Sequence, residues 1–201
     1  MDGLTTALRF DLPGAWYRWD PDDAVFAASK ELDARIEERP TLAAVRQTLL
    51  RLLLDLWDDA ADQQAVAAAA LVEPAPDAAL VASLVVVEAE REHPGDEDAE
   101  VTALLDLLRG DSPFDIRPRT VDTVDLPAGR AVRLARLART DGAEPGESEV
   151  AVEMVQHWLP VPGETTMIVL AGSTPCLHVA EELAEAFDTI ARSVGFRTVP
   201  G

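Results

Sequence analysis

An α+β domain, a mostly antiparallel sheet of hairpins covered by helices as an α-β-α sandwich, is predicted by three observations. Residues 149–159 alternate Val150, Val152, Met154 and Trp158 against Glu153 and His157, and a second apolar run at 165–172 follows a turn at Pro162-Gly163. From Leu177 onward the apolar period lengthens from two to about 3.6 residues, the signature of a helix packed directly after the last hairpin. Two further pairs of strand-like runs, turned by Pro74–Asp77 and by Pro127-Ala128-Gly129, lie upstream, and consecutive hairpins favour antiparallel pairing. The 201 residues are read as a single domain spanning 1–201, a length that buries roughly 70% of the surface exposed when unfolded.

Residues 4–12 carry Leu4, Ala7, Phe10 and Leu12 and end at Pro13-Gly14, which closes a first strand. A short second strand follows at Trp16–Trp19. Asp20, Asp22 and Asp23 supply capping carboxylates ahead of a helix marked by Val25, Phe26, Leu32 and Ile36 and ended at Pro40. The next helix opens at Pro40-Thr41 and carries Leu42, Val45, Leu49, Leu52, Leu53, Leu56 and Trp57. Leu50 and Leu54 widen that stripe, so this helix is expected to be covered on more than one side. The Ala-rich run ending Leu71-Val72 either extends the helix or begins a strand; paired with Leu80–Val87 it is read as a hairpin. Glu88–Glu100 reads as an acidic loop, Val101, Leu104, Leu105 and Leu108 as a short helix ended near Gly110. Strands at 116–126 and 130–139 and an acidic loop at 141–148 lead to the last hairpin. In the closing helix Thr174 is the expected N-cap, Pro175 the first residue and Gly195 the stop; Ala180, Leu183, Phe187, Ile190 and Val194 form its stripe. No segment repeats at a period of roughly 20–50 residues.

With 48% hydrophobic and 27% charged residues, the composition is globular. The charge is the outlier. Asp and Glu number 37 against 17 Lys and Arg, a net −20, which repels nucleic-acid phosphates and anionic membranes and favours solubility or a basic partner. Abundant alanine and a single lysine, Lys30, carry the bias of high-GC genomes such as actinobacterial ones. The N-terminus shows no basic segment followed by an apolar stretch, and no apolar run approaches the roughly 20 residues that span a bilayer. One cysteine, Cys176, excludes an internal disulfide framework. Cytoplasmic residence without membrane insertion is therefore expected.

The order of elements resembles the PsbP-like fold, which includes the extrinsic photosystem subunit, a Ran-binding nuclear transport factor and bacterial lipoproteins. The likeness is carried by an N-terminal hairpin beginning at Phe10-Asp11-Leu12-Pro13 and by Leu126-Pro127-Ala128-Gly129-Arg130 before a strand. The passage from Met167 through Ser173-Thr174-Pro175 to Phe187-Asp188 and Ile190 adds to it. The chain departs from the lipoprotein members in lacking a signal and a lipidation cysteine, and its helices between residues 22 and 61 form a larger insertion. The resemblance implies a non-catalytic protein that binds another protein.

No catalytic constellation stands out. His93, His157 and His178 lack the one-turn spacing of a zinc-binding helix, so no metal is assigned. Cys176 and His178 sit two apart at a helix start, where i and i+2 do not face each other, and packing explains the cysteine. Gly172-Ser173-Thr174-Pro175 lacks the second glycine of a nucleophile elbow and reads as capping. Asp96, Glu97, Asp98 and Glu100 miss the calcium-loop pattern, with Gly95 out of place and Leu107 where a bidentate Glu belongs. No phosphate-binding glycine loop is present, and no cofactor is expected. Trp16, Tyr17, Arg18 and Trp19 concentrate interface-type residues in one strand and are the candidate protein-binding residues, with core anchoring as the competing use. Arg130, Arg133, Arg136 and Arg139 recur every third residue; on a strand they alternate faces and serve ion pairs with the chain's own carboxylates. The expected function is a non-catalytic cytoplasmic protein-binding or accessory module serving a secretion system. The alternatives are an acidic immunity protein neutralising a basic toxin, and an enzyme assembled from His157, His178 and a carboxylate.

Overall fold

The computed structural model describes residues 4–14, 16–19, 24–38, 40–74, 79–93, 95–110, 112–139 and 150–200. The capping carboxylates Asp20, Asp22 and Asp23, the turn at 75–77 and the acidic loop 141–148 lie outside the described residues. The chain begins with β1 (Leu4–Arg9), β2 (Trp16–Trp19) and α1 (Ala24–Glu38). A 3-10 segment (Pro40–Val45) leads into α2 (Arg46–Asp62), and β3 (Ala67–Pro74), β4 (Ala79–Glu90) and α3 (Glu97–Leu108) follow. The remainder is β5 (Thr120–Leu126), β6 (Gly129–Arg139), β7 (Ala151–Pro160), β8 (Thr166–Thr174), α4 (Ala180–Arg192) and β9 (Gly195–Pro200).

Seven strands form one antiparallel sheet in the order β2-β3-β4-β8-β7-β6-β5, which is the α+β architecture the hairpins predict. Alternate residues of β4 sort the helices onto its two faces. Ala82, Leu84 and Val86 share a core with Leu183, Phe187 and Ile190 of α4. Val85, one residue out of phase, packs with Leu32 of α1 and Leu53 and Trp57 of α2, and Val87 reaches Val101 and Leu104 of α3. Thus α1, α2 and α3 cover one face and α4 the other.

The ambiguous alanines settle as strand. Ala68, Ala69 and Ala70 are paired on both sides, to β2 and to β4, and every one is buried; the two ladders outweigh alanine's intrinsic preference for helix. Their small side chains let helices approach from both faces. Gly172 works the same way, since a Cβ there would lie 2.3 Å from Phe187 Cδ1. Gly163 turns the last hairpin with φ of 73°, a region costly for other residues.

Several elements depart from the sequence expectation. No N-terminal hairpin forms: β1 pairs with β9, from Leu4↔Pro200 to Arg9↔Gly195, while β2 joins β3. Gly195 therefore opens a strand that local pattern did not reveal, and α4 stops three residues earlier. Thr174 ends β8 instead of capping α4, which is preceded by a 3-10 turn at Leu177–Val179. Its hydroxyl accepts from Cys176 N at 3.0 Å and donates to Val81 O at 2.7 Å, so it secures the turn after the strand. α3 begins at Glu97, within the predicted acidic loop, because Asp96 is its N-cap and accepts from Ala99 N at 2.9 Å. Glu100 of its first turn is buried and accepts from Glu92 N and His93 N, clamping the end of β4.

Candidate functional site

The alternation in β7 selects the opposite face to the one its polarity suggests. Glu153, Val155, His157 and Leu159 are buried, while Met154, Gln156 and Trp158 are half-buried on the α2–α3 face. Both faces of the sheet are covered, so polarity alone does not mark the buried side. The two polar residues on the α4 side are tolerated because each meets an opposite group. Arg117 Nη2 donates to both carboxylate oxygens of Glu153 at 2.8 Å. His157 Nε2 lies 2.9 Å from Asp188 Oδ1 of α4, and Arg133 Nε of β6 lies 2.7 Å from the same oxygen.

These three side chains floor a groove of about 320 Å³ whose rim includes Val124, Asp125, Leu126 and Arg192. Burial pushes the Asp188 carboxyl up, but the hydrogen bonds from His157 and Arg133, with the arginine's charge, outweigh it and hold the group at about 2. An ionised carboxylate facing an imidazole is the orienting half of an acid–base pair. The other half is missing among the described residues lining the groove, none of which is Ser, Thr, Cys, Lys or Tyr. His178 does not converge on it; it lies exposed on the 3-10 turn before α4. Arg133 shares the Asp188 oxygen with His157, which makes the cluster a cross-link between α4 and the sheet.

The aromatic strand divides between two cores. Trp16 is 6% exposed and meets Phe187 edge-on at 5.8 Å beneath α4. Tyr17, 2% exposed, turns to the α1–α2 side, where the Arg35 guanidinium lies 3.8 Å from its ring centroid. Arg18 is exposed, over the Phe10 ring at 4.8 Å; the side chain of Trp19 lies outside the described residues. Two of the four candidate binding residues are thus core anchors. Arg35 also donates to Trp16 O at 2.8 Å, which occupies a backbone acceptor of this edge strand.

Arg130, Arg133 and Arg136 of β6 alternate faces and find carboxylates. Arg130 meets Asp98 of α3 at 3.2 Å, Arg133 meets Asp188 of α4, and Arg136 lies 3.6 Å from Asp115, which is also paired with Arg119 at 2.6 Å. Ser173 is no nucleophile elbow. It sits within β8, its hydroxyl 2.8 Å from that of Ser83 on β4. No helix among the described residues is long and apolar enough to cross a membrane.

The chain matches no protein-family model and no curated protein sequence. Among solved structures it is similar to LpqN of Mycobacterium tuberculosis, described as involved in cell envelope biogenesis, with a TM-score of 0.51 and 11% identity. The match covers 97% of this chain and 86% of that one, so the likeness is one of overall fold. It also corrects the expectation of cytoplasmic residence, since the neighbour's described role is in cell envelope biogenesis. The lone Cys176 forms no intrachain disulfide in any compartment and was never a discriminating sign.

Proposed function

We propose that this chain is a non-catalytic binding module of the cell envelope whose partner is a basic protein. The observation that carries this reading is how the cationic side chains are used. Arg46, Arg117, Arg119, Arg130, Arg133 and Arg136 are each held by a carboxylate of the same chain. Further acid faces outward, in Asp55, Asp58, Asp59 and Asp62 on α2 and in Glu181, Glu182 and Glu185 on α4. A surface of this kind steers a cationic protein and rejects anionic ones. The element order supports placing the fold with the PsbP-like proteins, and the solved neighbour supports the envelope. The Arg133 bridge to Asp188 and the absence of a nucleophile from the described groove lining weigh against catalysis.

Capture from an envelope extract at about 50 mM and about 500 mM salt tests the reading. A stoichiometric partner of high isoelectric point, held at low salt and released at high salt, is the expected outcome. Absence of a stoichiometric partner, or one held equally at both salt concentrations, would overturn it.

A further inference from the structure

A second cavity, on the face opposite the His157 groove, is left between α2 and the sheet. Its floor follows from the register. Ser83 of β4 pairs with Ser173 of β8, Ser173 with Met154 of β7, and Met154 with Arg136 of β6, so the four side chains form one row across four strands. Cross-strand partners point to the same side. Small residues in that row, with Ala171 and Gly172 beside it, leave about 170 Å³ of space under Leu56, Asp59 and Gln63 of α2 and its C-terminal turn. That is roughly the room of five or six waters.

The chemistry of the lining is one-sided. Ser83 and Ser173 spend one hydroxyl hydrogen on each other at 2.8 Å and keep one donor and several lone pairs. Gln63 gives its amide N–H to Asp59 O at 3.2 Å, which leaves its side-chain carbonyl as an acceptor. Asp59 contributes a carboxylate. Leu56, Val85, Met154 and Ala171 supply apolar walls. Arg136, next in the row, lies beyond Met154, with Nη2 at 3.5 Å from its sulfur, and is answered by Asp115. Separated acceptors set among apolar walls match a group with three diverging donors on an alkyl stem. A guanidinium fork would pair with the Asp59 carboxylate alone, whereas the two hydroxyls and the Gln63 carbonyl stand singly and suit a compact ammonium.

From this we infer that the cleft between α2 and β4-β8-β7 receives a primary alkylammonium on a stem of about four carbons: a lysine side chain of the basic partner. This rests on the function proposed above and goes beyond it by naming the residue type and the seat. The test is an NMR titration of the full chain with N-acetyl-lysine methylamide, n-butylammonium, and the norleucine and arginine analogues of the first. The lysine compound is expected to bind with a Kd of about 1–10 mM, near what so small a ligand reaches. It should shift the amides of Ser83, Ala171 and Ser173 and the Met154 methyl. Asp59→Asn, at an exposed position, is expected to weaken binding about tenfold, while Asp106→Asn on the far helix α3 leaves it unchanged. Equal binding of norleucine, equal binding by Asp59→Asn, or no shift at about 50 mM ligand would overturn the proposal. Binding of butylammonium without the lysine compound would replace the partner's side chain with a free amine. Retention of the basic partner by Asp59→Asn with unchanged salt dependence would sink the cleft alone and leave the module's function standing.

Discussion

Replacing Asp188 with asparagine removes the charge that joins α4 to the sheet while keeping the shape of the side chain. In the folded chain this carboxyl is held at about 2, against an ordinary 3.8. At about 1.36 kcal/mol per pKa unit the difference sets a ceiling near 2.5 kcal/mol. One fifth of the side chain remains exposed, and so does one fifth of Arg133, which discounts the figure to about 1–2 kcal/mol. The sign follows from the depression. The stabilisation is complete above the unfolded value, is lost as pH falls from about 4 through 2, and is gone once both states are protonated. Urea denaturation at pH 7 should therefore show Asp188→Asn less stable than the natural chain by that amount, with Tm lower by roughly 2–8 °C. By pH 2.5 the gap should shrink to less than half. A gap that stays constant from pH 7 to 2.5 would refute the reasoning, since it would mean that the residue acts through packing.

Gly172→Ala places a methyl 2.3 Å from Phe187 Cδ1 and is expected to cost about 1–3 kcal/mol, part of it recovered by adding Phe187→Leu; full stability of the single variant in urea would contradict the close contact. Glu100→Ala strips the acceptor from two backbone N–H groups beside a residue 1% exposed, with an expected loss of about 2–3 kcal/mol and faster amide exchange at Glu92 and His93. Trp16→Ala should cost about 3–5 kcal/mol and Arg18→Ala within about 0.5 kcal/mol, measured by thermal denaturation. Comparable small effects at both positions would mean that the aromatic strand is not a core anchor.

Local signals were enough for most strands and helices because each has its own period and its own turn. Val150 to Trp158 and Ala180 to Val194 needed no partner to be recognised. Elements defined by distant partners were not legible. Gly195–Pro200 is a strand only because Leu4–Arg9 lies beside it, and Ala67–Ala70 is a strand only because it is flanked on both sides. The candidate sites show the same division. His157 and Glu153 looked like the solvent side of β7, since nothing local announces that Asp188 and Arg117 will meet them. Asp188 itself lies off the apolar stripe of its helix, so nothing local marks it for a contact with the sheet. The alkylammonium cleft had a faint sign in Ser83, a hydroxyl interrupting the run Leu80–Val87. Its meaning depends on Ser173 arriving 90 residues later in register.

The pairing of β1 with β9 fixes how the molecule responds to load. Because the ladder is antiparallel, residues 4 and 200 sit side by side, and a tether at either end leaves the body from one spot. Pulling the two ends apart then opens the ladder in sequence, from Leu4↔Pro200 inward to Arg9↔Gly195, as a zipper whose bonds break singly. The seven-stranded sheet takes no part until that clasp has opened. Tension along the chain should thus release a slack segment at each end while leaving the main sheet and the α4 layer loaded last.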